Sequence, residues 1–339
     1  LALSFCVADL RYAGAVTKPV IISSFSQTVF PMQVYRGVPA CSAQSAVLTI
    51  GNFDGVHLGH VELLRRLVGR AHSLALPAVV MTFEPHPREF FLPLASPLRL
   101  SSLREKLELL SSNGVDRVHV CRFDARFAAL SAEAFIDDLL VKGLSVRHLI
   151  VGDDFRFGRG RVGDFAMLQA AGGSQGFKVD ATPSVMVAGE RVSSSAVRDA
   201  LQAGDLDRTS RLLGRDYSVS GKVVHGDKRG RIMGFPTANI GLKGRRLPLN
   251  GVFAVSLEGA LAKPLPAVAN VGVRPSVGGD LQPTLEVHAL DFEGDLYGRH
   301  VRVNFLHRLR GEEKFADLEA LKLAISRDVA AARAHFKLT

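Results

Sequence analysis

The 339 residues contain only three cysteines, Cys6, Cys41 and Cys121, far apart and without a Cys-x-x-Cys pair. That scarcity excludes a disulfide-stapled scaffold, offers no zinc or redox centre and suits a reducing cytoplasm. No apolar run approaches the roughly 18 residues that span a bilayer, and the longest early stretch, Leu1 to Leu10, is broken by Asp9. A soluble chain with no membrane partner is expected. Internal repeats and low-complexity tracts are also missing, so nothing supports a fibre or a solenoid. Acidic residues are in deficit, 33 Asp and Glu against 42 Lys and Arg, and the formal charge of +9 favours anionic partners. Nucleic acid and phosphorylated small molecules both qualify.

Hydrophobic residues make up 47% and charged residues 22%, values of an ordinary globular protein, and the length predicts two domains, each able to bury its own core. The basic residues Arg159, Arg161, Lys228, Arg229 and Arg231 flank glycines instead of forming a stripe interleaved with aromatics. That placement points to phosphate pockets.

Residues 1–45 read as an N-terminal extension and lead-in, partly disordered, with Met32 as the expected natural start. From 46 to 214 short apolar strands alternate with amphipathic helices, the pattern of a parallel sheet with crossovers. Strands are expected at 47–50, 78–83, 117–121, 148–151 and 177–180, and helices at 60–74, 102–112, 132–142, 164–171 and 194–213. From 215 to 339 the texture changes to strand-length runs punctuated by Gly, Pro and Asn, which predicts a small barrel or sandwich with strands at 217–224, 251–258, 267–271, 284–290 and 300–305. A last helix is expected over 312–336.

Gly51-Asn52-Phe53-Asp54-Gly55-Val56-His57-Leu58-Gly59-His60 follows the first strand and opens the first helix. Glycines allow a tight turn and close approach to a ligand, the helix start offers unpaired amides, and imidazoles three residues apart project together. Such a site suits phosphate oxygens, and donors there would stabilise the charge that grows when a nucleophile attacks the α-phosphate of ATP. Two surface histidines or a His-x-x-His metal pair are the alternatives, and no third ligand is evident for a metal.

Three further segments fall at strand ends or helix starts. Phe83-Glu84-Pro85-His86-Pro87 is a rigid turn presenting a carboxylate. In Gly152-Asp153-Asp154-Phe155-Arg156-Phe157-Gly158, Phe155 and Phe157 could flank a planar ring while Asp154 bonds its polar edge. Arg191-Val192-Ser193-Ser194-Ser195-Ala196-Val197-Arg198 reads as a helix start with hydroxyls and an arginine aimed at phosphate. Gly158-Arg-Gly-Arg-Val-Gly163 matches the dinucleotide pattern, with Asp180 behind it, but no strand runs directly into its first glycine.

In the second half, Gly226 to Asn239 forms a glycine-rich basic loop, including Gly230 and Gly234, that ends in Gly-Phe-Pro-Thr237-Ala-Asn239. It is no Walker motif. The loop could cover ATP phosphates, and Thr237 and Asn239 offer neutral oxygens suited to a magnesium ion shared with them. Glu286 alternates with apolar Leu285 and Val287, so it shares a strand face with Thr284 and His288 and could accept a hydroxyl proton. A solvated outer-face glutamate is the alternative, and His288 reads as structural.

Together these motifs resemble the bacterial bifunctional riboflavin kinase/FMN adenylyltransferase family, from Met32 to the end. The resemblance implies an α/β nucleotidyltransferase-type parallel sheet domain over 46–214, followed by a small six-stranded antiparallel β-barrel with a C-terminal helix over 215–339. It implies that His57 and His60 bind ATP phosphates and stabilise adenylyl transfer, with Gly51, Asn52, Phe53, Asp54 and Gly59 in the same ATP site. Arg191, Ser194, Ser195 and Arg198 would complete the phosphate clamp, and Glu84, Asp154, Phe155 and Phe157 would contact the flavin. Some members have Asp where Glu84 stands and Asn where Asp154 stands. In the kinase module Gly230 and Gly234 would contact ATP, Thr237 and Asn239 magnesium and ATP, and Glu286 would be the catalytic base. The implied enzyme is cytoplasmic, uses ATP, riboflavin and FMN with Mg2+, yields FAD and has no nucleic-acid partner; a homo-oligomer stays open. The rival is a basic nucleic-acid-binding or tRNA-acting protein, which explains the charge but neither the Pro-Thr-Ala-Asn loop nor Glu286.

Overall fold

The computed structural model describes residues 20–22, 32–226, 234–275 and 281–338. Gly230, Lys228, Arg229 and Arg231 lie outside the described residues. The chain divides into two compact units, Leu1–Pro97 with Lys106–Arg191, and Leu98–Glu105 with Val192–Thr339.

In the first unit, seven strands make one sheet: β1 (Val20–Ile22), β2 (Met32–Arg36), β3 (Ala46–Ile50), β4 (Ala78–Glu84), β5 (Arg117–Arg122), β6 (Val146–Gly152) and β7 (Lys178–Thr182), in the order β1-β2-β5-β4-β3-β6-β7. Only the β1–β2 pairing is antiparallel. Every residue of β3 is buried, and so is all of β4 up to Phe83, because helices cover both faces of a parallel sheet and leave no solvent side to alternate with. The helices are α1 (Leu58–Leu74), α2 (Pro87–Phe91), α3 (Leu103–Ser112, counted with this unit from Lys106 on), α4 (Ala125–Ala128), α5 (Ala132–Ala134) and α6 (Phe165–Gln175). A π-helix, Phe135–Gly143, continues α5, so the single helix expected over 132–142 is a composite. A two-strand ribbon, β8 (Met186–Val187) with β9 (Glu190–Arg191), follows β7. The chain builds outward from β3 through β4 to β5, then returns to β6 and β7 on the other side. The crevice at the carboxyl end of β3 is therefore the switch point where such folds bind ligands.

The second unit opens with α7 (Ser194–Ala203) and α8 (Leu206–Leu213). The one helix expected over 194–213 is broken by left-handed Gly204 and restarted by the Asp205 cap. Six strands then close a barrel: β10 (Tyr217–Val224), β11 (Ala238–Ile240), β12 (Gly251–Glu258), β13 (Leu265–Pro275), β14 (Leu281–Ala289) and β15 (His300–Arg310), in the order β10-β11-β14-β13-β12-β15. Alternation fills its interior with Val219, Phe253, Val255, Val303 and Phe305. The final helix, α9 (Leu318–Phe336), starts at the Asp317 cap instead of residue 312 and packs Val329 and Ala332 on Val252, Ala254 and Val268.

The segment Leu98–Glu105 is tied to this unit by Arg198, which donates to the Leu98 carbonyl, and by the buried Glu105 carboxylate. Glu105 accepts from Arg245 Nη1 at 2.7 Å and from the Ser220 backbone N–H at 2.6 Å. Burial alone would raise its pKa, but the Arg245 charge and these donors outweigh it and hold the carboxyl below its usual range.

Candidate active sites

At the end of β3 the backbone leaves the sheet through an unusual curl. Phe53, Gly55 and Val56 have φ of 49°, 79° and 41°, and Val56 is a β-branched residue for which that conformation is strained. Complete burial of the Phe53 and Val56 side chains holds the strain in place. The curl delivers His57 to the N-cap of α1, where its Nδ1 accepts the His60 backbone N–H at 3.4 Å. The two imidazoles stack with centroids 3.7 Å apart and planes 17° apart, and His60 leans on Phe53 at 5.0 Å. His57 and His60 thus form one block beside the amides of a helix start, with Gly59 between them and Asp54 buried behind. Thr82 on β4 braces the curl by donating to the Asn52 carbonyl at 3.3 Å.

Gly51 and Asn52 also line a cavity of about 610 Å³. Its walls include Phe155, Phe157 and Asp154, three of the four expected flavin contacts; Glu84 closes β4 and is not among the lining residues. Phe155 and Phe157 stack at 5.8 Å with planes 17° apart. Phe83, Phe91, Phe123, Phe127 and Phe135 line it too, and sequence reasoning missed them. The available signal was six phenylalanines between positions 83 and 135, several at strand ends where a core residue is less needed. Asp154 receives Arg191 Nη2 at 2.7 Å, so two residues expected to face different ligand parts are paired with each other, both largely exposed.

The dinucleotide-like run 158–163 forms a short 3₁₀ turn closed by Phe157 and Gly163. Gly163 lies flat on the Phe157 ring, where a Cβ would come within 2.6 Å of it. Asp180 is engaged by His148 Nε2 at 2.7 Å. Gly163 serves ring packing, and Gly158 lies against the Ala132 backbone, where a Cβ would come within 2.8 Å.

On α7, Ser193 is the cap, accepting the Ala196 N–H at 3.1 Å. Ser194 and Ser195 stand in the first turn, and Arg198, almost fully buried, donates Nε to the Leu98 carbonyl at 2.6 Å. These three belong to the second unit, whereas His57, His60 and Arg191 belong to the first.

On the barrel wall, sheet register brings together the residues of a second candidate site. Glu286 pairs across β14 with Asn239 of β11 on one side and Asn270 of β13 on the other. Leu285 and Val287 point into the barrel, so Thr284, Glu286 and His288 share the outer face, as the alternation predicts. Gly226 lies against the Asn239 carboxamide so closely that a Cβ there would overlap it. The loop that carries Thr237 is pinned by His288, whose Nδ1 lies 2.8 Å from the Pro236 carbonyl, with Phe235 edge-on at 5.8 Å. A cavity of about 320 Å³ reaches Thr284, two residues from Glu286, and is lined also by Gly272, Arg246 and Glu312. Among the described residues no three His, Cys, Asp or Glu side chains cluster as a metal site.

A family model described as FAD synthetase matches residues 40–196, and one described as riboflavin kinase matches 213–336. The chain is 52% identical over 305 residues to the bifunctional riboflavin kinase/FMN adenylyltransferase of Pseudomonas fluorescens, covering 89% of this chain and 97% of that one. It is 50% identical over 311 residues to the protein of the same description from Escherichia coli (strain K12), covering 91% and 99%. A crystal structure described as a macrolide-efflux protein from Streptococcus pneumoniae superposes with a TM-score of 0.76 at 29% identity, covering 88% of this chain and 98% of that chain.

Proposed function

The chain belongs to the bifunctional riboflavin kinase/FMN adenylyltransferase family, and from that membership we infer how its residues divide the two reactions. The protein phosphorylates riboflavin to FMN with ATP and adenylylates FMN with a second ATP, giving FAD and pyrophosphate. We propose that 46–214 carries the adenylyl transfer and 215–339 the kinase.

In adenylyl transfer, an FMN phosphate oxygen attacks the α-phosphorus of ATP, and the bond to the β-phosphate breaks as pyrophosphate leaves with its electron pair. The nucleophile is already an anion, so the site needs donors more than a base. The His57–His60 block and the start of α1 supply them, with Asn52, Asp54 and Gly59 shaping the floor. The phenylalanine-lined cavity suits the flavin ring, and its lining by Gly51 and Asn52 would bring the ribityl phosphate to the loop that carries the histidines. This continuity between cavity and loop carries the reading. Arg191, Ser194, Ser195 and Arg198 are proposed as the phosphate clamp, and Glu84 as a more distant flavin contact.

In the kinase reaction the nucleophile is a neutral hydroxyl. Glu286 takes the proton of the riboflavin 5′-hydroxyl as its oxygen attacks the γ-phosphorus and ADP departs. The cavity reaches Thr284, which shares its strand face with Glu286, and suits the flavin. Thr237 and Asn239 would hold Mg2+, which when bound neutralises phosphate charge, and Gly230 and Gly234 would contact ATP. Asn270, opposite Glu286, is a further polar neighbour that sequence reasoning did not single out.

The nucleic-acid reading is not favoured, since the paired kinase and adenylyltransferase matches account for both glycine-rich regions. The small nucleotide and vitamin substrates support a cytoplasmic location. The test is a flavin product assay. Given riboflavin and ATP with magnesium, His57→Ala should accumulate FMN without FAD, whereas Glu286→Gln should make no FMN yet still convert added FMN to FAD. Normal FAD from riboflavin in both variants would overturn the assignments.

A further inference from the structure

A buried lysine lies beneath the curl that carries His57. Lys106, on α3, is 5% exposed, and its ammonium donates to Thr82 Oγ1 at 3.4 Å. The Thr82 side chain is fully buried, and its hydroxyl donates onward to the Asn52 carbonyl at 3.3 Å. A cation thus reaches the strained loop through a single hydroxyl. Burying an ammonium is costly in general unless neighbouring groups engage it. The charge has a use where it is: the loop above it, from Asn52 to His57, is where the adenylyl-transfer reading brings ATP phosphates.

We propose that Lys106 is a positioning residue for adenylyl transfer, acting through Thr82 to fix the Asn52 carbonyl and hence the curl that sets His57 and His60. A hydroxyl that must receive the ammonium on one side can donate only on the other, so the lysine orients the Thr82 proton toward Asn52. The same fixed charge favours polyanion binding above the loop. The inference rests on the assignment of His57 and His60 to adenylyl transfer.

The test uses the full chain and its two activities. Thr82→Val keeps the shape and removes the hydroxyl, Thr82→Ser keeps the hydroxyl, and Lys106→Met keeps the stem and removes the charge. Thr82→Val and Lys106→Met should each lower kcat for FMN adenylylation about 10- to 100-fold, the scale of a misplaced catalytic group, with the KM for FMN changed less than about threefold. Riboflavin phosphorylation by the same preparations should stay within about twofold, and Thr82→Ser should recover most of the lost rate. The double variant should be no worse than the poorer single one, since both break one relay. Wild-type adenylylation in Thr82→Val, or losses that multiply in the double variant, would overturn the proposal. Equal loss of both activities would also overturn it, reducing the lysine to a folding role. Should Lys106→Met not fold, the Val and Ser variants at position 82 decide alone. His57→Ala, assayed in parallel, separates the two failures: if it retains adenylylation the underlying assignment falls, and if it loses adenylylation while Thr82→Val does not, only the relay falls.

Discussion

At the carboxyl edge of β3 the chain passes through three left-handed residues within four positions, while on the barrel wall Asn239, Glu286 and Asn270 lie side by side on extended strands. The first site is made by bending the backbone against its preferences, the second by sheet register. On the proposed division of the two reactions, the difference matches the nucleophiles. A phosphate that is already anionic needs N–H groups around developing charge, and a curled loop running into a helix start exposes them. A neutral hydroxyl needs a carboxylate at one fixed point, and a strand in a closed barrel holds one with little backbone strain.

The sharpest way to break this contrast is to exchange what each site depends on. Glu286→Gln should cost riboflavin phosphorylation about 10²- to 10⁴-fold, the usual worth of a general base, with FMN adenylylation within about twofold. His57→Gln should lower adenylylation about 10²- to 10³-fold, the scale of one lost transition-state donor. Parallel losses in both reactions would show that the sites are not independent.

Next comes stability. Glu105→Gln leaves Arg245 buried without its carboxylate and should destabilise the barrel unit by about 3 kcal/mol. Urea denaturation followed by kinase activity should move, and the midpoint followed by adenylylation should move less. Because the folded pKa of Glu105 is depressed, its contribution is complete above the unfolded value near 4.5 and is lost as pH falls through the lower folded value. The gap between wild type and variant should therefore narrow in acid.

Smaller effects sharpen the comparison further. Gly226→Ala should reduce kinase kcat about tenfold by displacing the Asn239 carboxamide, a 1.4 kcal/mol perturbation, and leave adenylylation alone. Phe123→Leu should raise the KM for FMN in adenylylation about three- to tenfold through lost ring packing, without altering the KM for riboflavin in phosphorylation.

The residues themselves explain what could be read beforehand. The β3 strand, the run 51–60 and the outer-face triplet Thr284, Glu286 and His288 were legible because each is local: an apolar run, a glycine-bounded turn, a two-residue period. Asn270 became visible only with the β13–β14 register, which no nearby pattern encodes. The cavity phenylalanines arrive from four separate segments, and each taken singly reads as core. Lys106 sits in an ordinary Arg-Glu-Lys stretch of an amphipathic helix, where a charge predicts exposure. The break at Gly204 was underread because helical periodicity persists on both sides of it.

The riboflavin kinase match begins at residue 213, yet the glutamate that neutralises Arg245 comes from more than a hundred positions upstream. A gene fragment starting at 215 would inherit the guanidinium and leave its counter-ion behind. Excision at that seam, whether by a protease, a cloning primer or a recombination event, therefore asks the severed half to find a substitute anion or to rearrange around a bare positive group.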